Sequence, residues 1–125
     1  MRLLLDTHAL IWWLEGGARL GEVARAAIRS RANAVWVSSV SAVEISIKVA
    51  KGKLDAPGDL VAQMAHHGFT ALPVTIEHGV AMLGFPAKHP DPFDRLLIAQ
   101  ARCDGLTIVT ADPKFAAYDV PIMSA

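Results

Sequence analysis

The sequence predicts an α/β protein with a largely parallel central sheet covered by helices on both faces, and three features point to it. Short apolar runs recur along the chain, separated by helical segments of about ten or more residues, the length a crossover between parallel strands requires. The runs are apolar at successive positions, as in strands buried on both faces. Of 125 residues, 53% are hydrophobic and 19% charged, which excludes a disordered chain and predicts one compact domain over 1–125.

The elements follow in order. Residues 2–6 form the first strand, an apolar run ending in Asp6. Thr7 to Leu14 reads as a helix closed by Gly16 and Gly17. A second helix at about 20–31 sets Val23, Ala27 and Ile28 on one face and Arg25, Arg29 and Arg31 on others. Ala34 to Ser38, β-branched and aromatic, is the second strand. Ser41 opens a third helix running to about Lys51 and stopped by Gly52. Pro57-Gly58-Asp59 begins a fourth helix that ends at His66-His67-Gly68, and Phe69 to Val74 is the third strand. Thr75 caps a short fifth helix ending at Gly84 and Pro86. After the loop Lys88-His89-Pro90, Asp91 and Pro92 supply an N-cap and an N1 proline for a strong helix from Phe93 to Arg102. Leu106 to Thr110 is the fourth strand, Asp112-Pro113 starts a helical turn, and Val120-Pro121-Ile122 suits an edge strand.

Several classes fall away. Cys103 is the single cysteine, so no internal disulfide forms, and no Cys/His pair stands at zinc spacing. Met1 to Leu5 opens like a signal peptide, with small residues at Gly16, Gly17 and Ala18, but Asp6 and His8 spoil its apolar segment. The run Ala9 to Leu14 is far shorter than the roughly 20 residues that span a bilayer. A soluble, cytoplasmic protein with no membrane partner is expected. Lys+Arg and Asp+Glu balance at 12 each, and zero net charge weighs at first sight against a nucleic-acid partner.

Four carboxylates occupy comparable places: Asp6 ends the first strand, Glu44 lies in the first turn of the third helix, Asp94 in the first turn of the sixth, and Asp112 just past the fourth strand. In a parallel sheet all four project from the carboxyl edge, where open α/β sheets bind ligands. Helix N-termini help keep them ionised. Convergent anionic oxygens without Cys or well-spaced His make a hard-cation site suited to Mg²⁺ or Mn²⁺, ions that promote phosphodiester hydrolysis. Singly, most of these acids also have a structural reading. Ser41 and Glu44 stand at capping-box spacing, and Glu44 precedes Lys48 by one helical turn as an ion pair. Asp91 suits an N-cap, Asp94 complements a helix dipole, and Asp112 before Pro113 suits a turn. Asp6 is different, because a carboxylate ending a buried strand is costly unless it is paired or bound to a cation.

The segments Leu4-Leu5-Asp6-Thr7-His8-Ala9-Leu10-Ile11-Trp12-Trp13, Ser41-Ala42-Val43-Glu44-Ile45, Lys51-Gly52-Lys53-Leu54, Asp91-Pro92-Phe93-Asp94-Arg95-Leu96-Leu97-Ile98-Ala99-Gln100-Ala101 and Val109-Thr110-Ala111-Asp112 together resemble the PIN-domain ribonucleases, specifically the VapC toxins of toxin-antitoxin pairs. The resemblance spans essentially the whole chain. It implies a PIN-like fold and a Mg²⁺- or Mn²⁺-dependent endoribonuclease acting on structured RNA such as tRNA or rRNA, restrained by a cognate antitoxin and commonly a homodimer. Carried over, Asp6, Glu44, Asp94 and Asp112 match the four family acids, as both metal ligands and catalytic residues. Asp6 and Asp94 would be the principal ligands. Asp91 is assigned the N-cap, although it belongs to the same motif as Asp94. Thr7 and Thr110 match supporting hydroxyl positions. The implied reaction is in-line attack by metal-activated water, leaving 5′-phosphate and 3′-hydroxyl ends.

Two rival readings carry different requirements. A haloacid-dehalogenase-like phosphohydrolase needs a second aspartate two residues after Asp6, where this chain has His8. A non-catalytic PIN-like binding module would be expected to have lost acids that are all present. His8 is not needed as a base where a metal activates water. His66, His67, His78 and His89 form no metal spacing and are expected at the surface. Trp12, Trp13 and Trp36 are expected in or near the core, with Trp12 or Trp13 in an antitoxin groove as the lesser alternative. Lys48 and Arg95 are the candidates for RNA contact, Arg95 being equally able to pair with a site carboxylate.

The zero net charge also divides unevenly. Residues 19–53 hold seven basic and two acidic residues, a net of +5, and the remainder of the chain carries −5. One reading is a solvated basic face on two helices. The other is a phosphate-gripping flank beside an acid pocket that divalent cations neutralise, giving salt-sensitive, cation-dependent binding.

Overall fold

A computed structural model describes residues 1–55, 58–86 and 89–125. Among these, five strands, β1 (Arg2–Leu5), β2 (Ala34–Ser38), β3 (Thr70–Leu72), β4 (Thr107–Thr110) and β5 (Ile122–Ser124), alternate with six helices. The helices are α1 (Thr7–Leu14), α2 (Glu22–Arg29), α3 (Ser39–Ala50), α4 (Leu60–His67), α5 (Ile76–Ala81) and α6 (Pro92–Asp104). All four strand pairings are parallel, in the order β3-β2-β1-β4-β5. The expected α/β class and parallel sheet are therefore observed.

Successive residues of the central strand β1 feed the two cores, which is why it reads as unbroken Leu. Leu3 and Leu5 pack with Ala9, Leu10, Leu20, Ala24 and Ile28 of the α1–α2 segment on one face. Leu4 packs with Leu97, Ile98 and Ala101 of α6, and with Phe115 and Tyr118, on the other. All three leucines are fully buried. Strand order reverses direction at β1, since β2 and β3 lie on one side and β4 and β5 on the other. The crevice between the carboxyl ends of β1 and β4 is thus the topological switch point, the position where such sheets bind ligands.

Several boundaries differ from expectation for identifiable reasons. Asp6 is the N-cap of α1, its carboxylate accepting from Ala9 N at 2.8 Å, so strand passes to helix without a loop. The same happens at β2: Ser38 caps α3 by accepting from Val40 N, and the helix starts at Ser39, two residues before Ser41. Ser41 is therefore interior, the expected capping box with Glu44 does not form, and Glu44 lies in the second turn of α3. The second helix is shorter than 20–31, running from an N-cap at Gly21 to Arg29. The start proposed at Pro57 lies outside the described residues, but Asp59 caps α4 and left-handed Gly68 closes it. The third strand contracts to Thr70–Leu72, and the last strand sits at Ile122–Ser124, pairing in parallel with β4 rather than centring on Pro121. Thr75 caps α5 in a reciprocal pair with His78. No helix among the described residues is long and apolar enough to cross a membrane.

Candidate functional site

The two abrupt strand-to-helix junctions and the two Asp-Pro helix starts place all four predicted acids around the switch point. Asp6 leaves β1 and Asp112 follows β4 across the crevice, and the two are linked through one hydroxyl. Thr110 donates to Asp6 Oδ2 and accepts from Asp112 N at 3.0 Å. Asp112 itself caps the 3-10 turn Pro113–Ala117, accepting from Lys114 N at 2.9 Å. Glu44 reaches in from α3, buried, with Thr7 Oγ1 donating to its Oε1 at 2.8 Å. Ser41 Oγ lies 3.0 Å from the same threonine oxygen. Thr7 and Thr110 thus each donate a hydrogen bond to a carboxylate.

Asp94 lies in the first turn of α6, while Asp91 is the N-cap and accepts from Phe93 N at 2.8 Å. Burial, followed by repulsion from Asp91, Glu44, Asp6 and Asp112, pushes the Asp94 carboxyl up to about 7. Burial likewise raises Asp6, although its bonds from Thr110 and Ala9 oppose the shift. Asp112 goes the other way: its desolvation is outweighed by the Lys114 N–H together with His89 and the Lys114 charge. Anionic groups crowded until one of them resists ionisation are the electrostatic signature of a place for a cation. The donor set suits a hard divalent ion; of the four predicted acids, Asp94 and Asp112 bring carboxylate oxygens within 4.8 Å of one another, together with His89, while Asp6 and Glu44 stand beside them as neighbouring charges.

His89 was expected at the surface, yet it is only 4% exposed and bridges two of these acids, Asp94 and Asp112. Its Nδ1 accepts from Asp91 N at 3.2 Å, which leaves the ring proton on Nε2. That nitrogen lies 3.0 Å from Asp94 Oδ2 and 3.0 Å from Asp112 Oδ2. Potential ligand atoms of the three residues all fall within 4.8 Å of one another. The local sequence His89-Pro90-Asp91 accounts only for the bond from Asp91 N, and the carboxylates and Tyr118 that surround the ring are brought to it by the fold. Tyr118 holds it there, accepting from His89 N and donating to Pro86 O, both at 2.9 Å. Tyr118→Phe should cost about 1–3 kcal/mol through the unsatisfied groups left behind. Thermal melting would read this as a drop of several degrees, and an unchanged Tm would show that the hydroxyl is not what pins His89.

The remaining candidates divide. His78 is also buried rather than at the surface, because it completes the α5 cap and meets Asp104 at 2.8 Å. His66 and His67 are exposed as expected. Trp12, Trp13 and Trp36 are partly buried against the two cores. Lys48 forms the expected helical ion pair with Glu44 at 3.3 Å. Arg95 makes no ion pair among the described residues, and its Nε is buried without a hydrogen-bond acceptor. The positively charged segment does not form one flank. Lys48 adjoins the acids, but Arg29 and Arg31 line a cavity of about 650 Å³ with Val35 and Phe69, at the amino ends of β2 and β3 on the opposite edge of the sheet.

A parallel sheet that gathers carboxylates at its switch point, each fixed by a hydroxyl, a cap or an imidazole, defines an α/β protein with an acidic cluster at the carboxyl edge of its sheet. Residues 3–121 match the family model described as PIN domain, and the chain belongs to that family. It is 28% identical over 123 residues to Ribonuclease VapC22 of Mycobacterium tuberculosis, an alignment covering 95% of this chain and 93% of the relative. The fold superposes on VapBC2 from Rickettsia felis bound to a promoter DNA fragment with a TM-score of 0.69 at 12% identity, covering 98% of both chains. It also matches FitAcB from Neisseria gonorrhoeae with a TM-score of 0.68 at 19% identity, over 98% of this chain and 96% of the other.

Proposed function

We propose that the chain is a Mg²⁺- or Mn²⁺-dependent endoribonuclease of VapC type, the toxin of a toxin-antitoxin pair. The observation that carries this is the convergence of Asp6, Glu44, Asp94 and Asp112, with Asp94 driven up to about 7 by burial and its acidic neighbours. Membership of the PIN family and likeness to a relative named as a ribonuclease support the same reading.

In this account Asp6 and Asp94 are the principal ligands, and Glu44 and Asp112 complete the site or orient water. A divalent ion held by these carboxylates would supply Lewis acidity toward the phosphodiester and would lower the pKa of a nearby water. Thr110 holds Asp6 and Asp112 in register, and Thr7 does the same for Glu44. His89 donates from Nε2 to Asp94 and Asp112, keeping both carboxylates turned into the crevice. Lys48 and Arg95 offer positive charge to the RNA backbone. Cleavage leaves 5′-phosphate and 3′-hydroxyl ends. The partners are a structured RNA such as tRNA or rRNA, a cognate antitoxin and a second copy of the chain, in the cytoplasm. Complexes of toxin with antitoxin among the structural neighbours support the antitoxin partner. The phosphatase alternative has His8 where its second aspartate is needed.

The test is incubation of purified protein with total RNA and Mg²⁺ or Mn²⁺, with and without chelator, followed by analysis of the ends. Cleavage that chelator abolishes is expected. Chelator-resistant cleavage, or hydrolysis of small phosphate esters with RNA left intact, would overturn it.

A further inference from the structure

Helix α1 carries three groups in line away from its start: Asp6 at the cap, then His8 and Trp12 one turn apart. The His8 and Trp12 rings stand 6.2 Å apart and inclined at 47°. With Ala111 and Asp112 from beyond β4, these side chains line a cleft of about 320 Å³. One wall is the acid pair of the switch point and the other is aromatic. His8 is exposed and Trp12 half-buried, so both rings remain partly open to a ligand. At about 1.5 Å rise per residue, Trp12 lies roughly 9 Å along the helix from Asp6, within reach of the base of a nucleotide whose phosphate lies at the acids.

We propose that this cleft is a nucleobase subsite, in which the base adjoining the phosphate at the acids stacks on the Trp12 indole with His8 at its edge. The inference rests on the phosphodiester reading of the acid site and deepens it by naming a group that recognises the substrate. Single-stranded nucleic acids are held by stacking on aromatic side chains, which tolerates any base because every base has a π face. The cleft suits that mode. Among the described residues no lysine or arginine lines it, and the ring face offers the stacking surface. Ala111 is the smallest residue lining it, so a larger side chain there would intrude on the cleft.

The experiment uses ¹⁵N-labelled full chain with Mg²⁺, titrated with 5′-AMP, 5′-UMP and ribose 5-phosphate, which share a phosphate and differ in having a base. The nucleotides are expected to shift the Trp12 indole N–H and to bind roughly five- to a hundred-fold more tightly than ribose 5-phosphate. Trp12→Phe should keep that preference, and Trp12→Ala should lose it. Ala111→Leu should lose it too, by filling the cleft with the indole intact; dispersed spectra confirm that each variant is folded. Equal binding of all three ligands, or a preference that survives both Trp12→Ala and Ala111→Leu, overturns the subsite while leaving the acid site standing. Binding of none of the three overturns both.

Discussion

Asp94→Asn is expected to make the metal-free protein more stable while greatly weakening the proposed metal-dependent cleavage. In the wild type this carboxyl is raised from 3.8 to about 7 by burial and by Asp91, Glu44, Asp6 and Asp112. Between about pH 4 and pH 7 the folded chain therefore binds more protons at Asp94 than the unfolded chain does, so stability falls as pH rises through that window and levels off above it. Asp6, also raised, acts with the same sign. The full shift corresponds to roughly 4 kcal/mol, and screening by water at the crevice mouth reduces the expected effect to on the order of 1–3 kcal/mol. Asn removes the charge and keeps an oxygen facing His89. In chelator, the Tm of the variant should match wild type near pH 4 and exceed it by several degrees at pH 8. Saturating Mg²⁺ should raise the wild-type Tm and narrow the gap. A variant less stable than wild type at pH 8 in chelator would contradict the electrostatic account.

Asp6→Asn should lower RNA cleavage by roughly two to three orders of magnitude or more, because the proposed principal ligand to the cation is lost. The substitution separates chemistry from folding. Asp6 caps α1 through Ala9 N, and Asn caps a helix about as well as Asp. It also removes the cost of a buried charge, so Tm should hold or rise. Loss of cleavage with Tm retained assigns Asp6 to the reaction. A variant that cleaves normally removes it from the site, and loss of both would make its role structural.

Most of what positions the site was readable from the sequence, for physical reasons specific to each residue. Asp6 stood out because an acid closing a buried apolar strand needs a partner, and Thr110 from β4 supplies part of that need. Asp91 and Asp94 could be separated in role because Pro92 marks the first helical turn. The start of α3 was misplaced because two serines, Ser38 and Ser41, both suit a cap. Only the register of β2 against β3, which carries the strand to Ser38 beside Leu72, decides between them. His89 was missed because its burial comes from Tyr118 and Asp112, which lie 29 and 23 residues away in the chain. No local pattern encodes such a contact. The same holds for Arg29 and Arg31: net charge counted along the chain cannot tell which edge of a sheet a residue occupies.

The central claim is that the switch-point carboxylates hold a divalent cation, and Mn²⁺ binding followed by electron paramagnetic resonance at pH 8 tests it most directly. Wild-type protein should take up Mn²⁺ in competition with Mg²⁺, and Asp6→Asn and Asp94→Asn should each weaken uptake about tenfold or more. Wild-type protein that leaves Mn²⁺ free, or variants that bind it as tightly as wild type, would contradict the account.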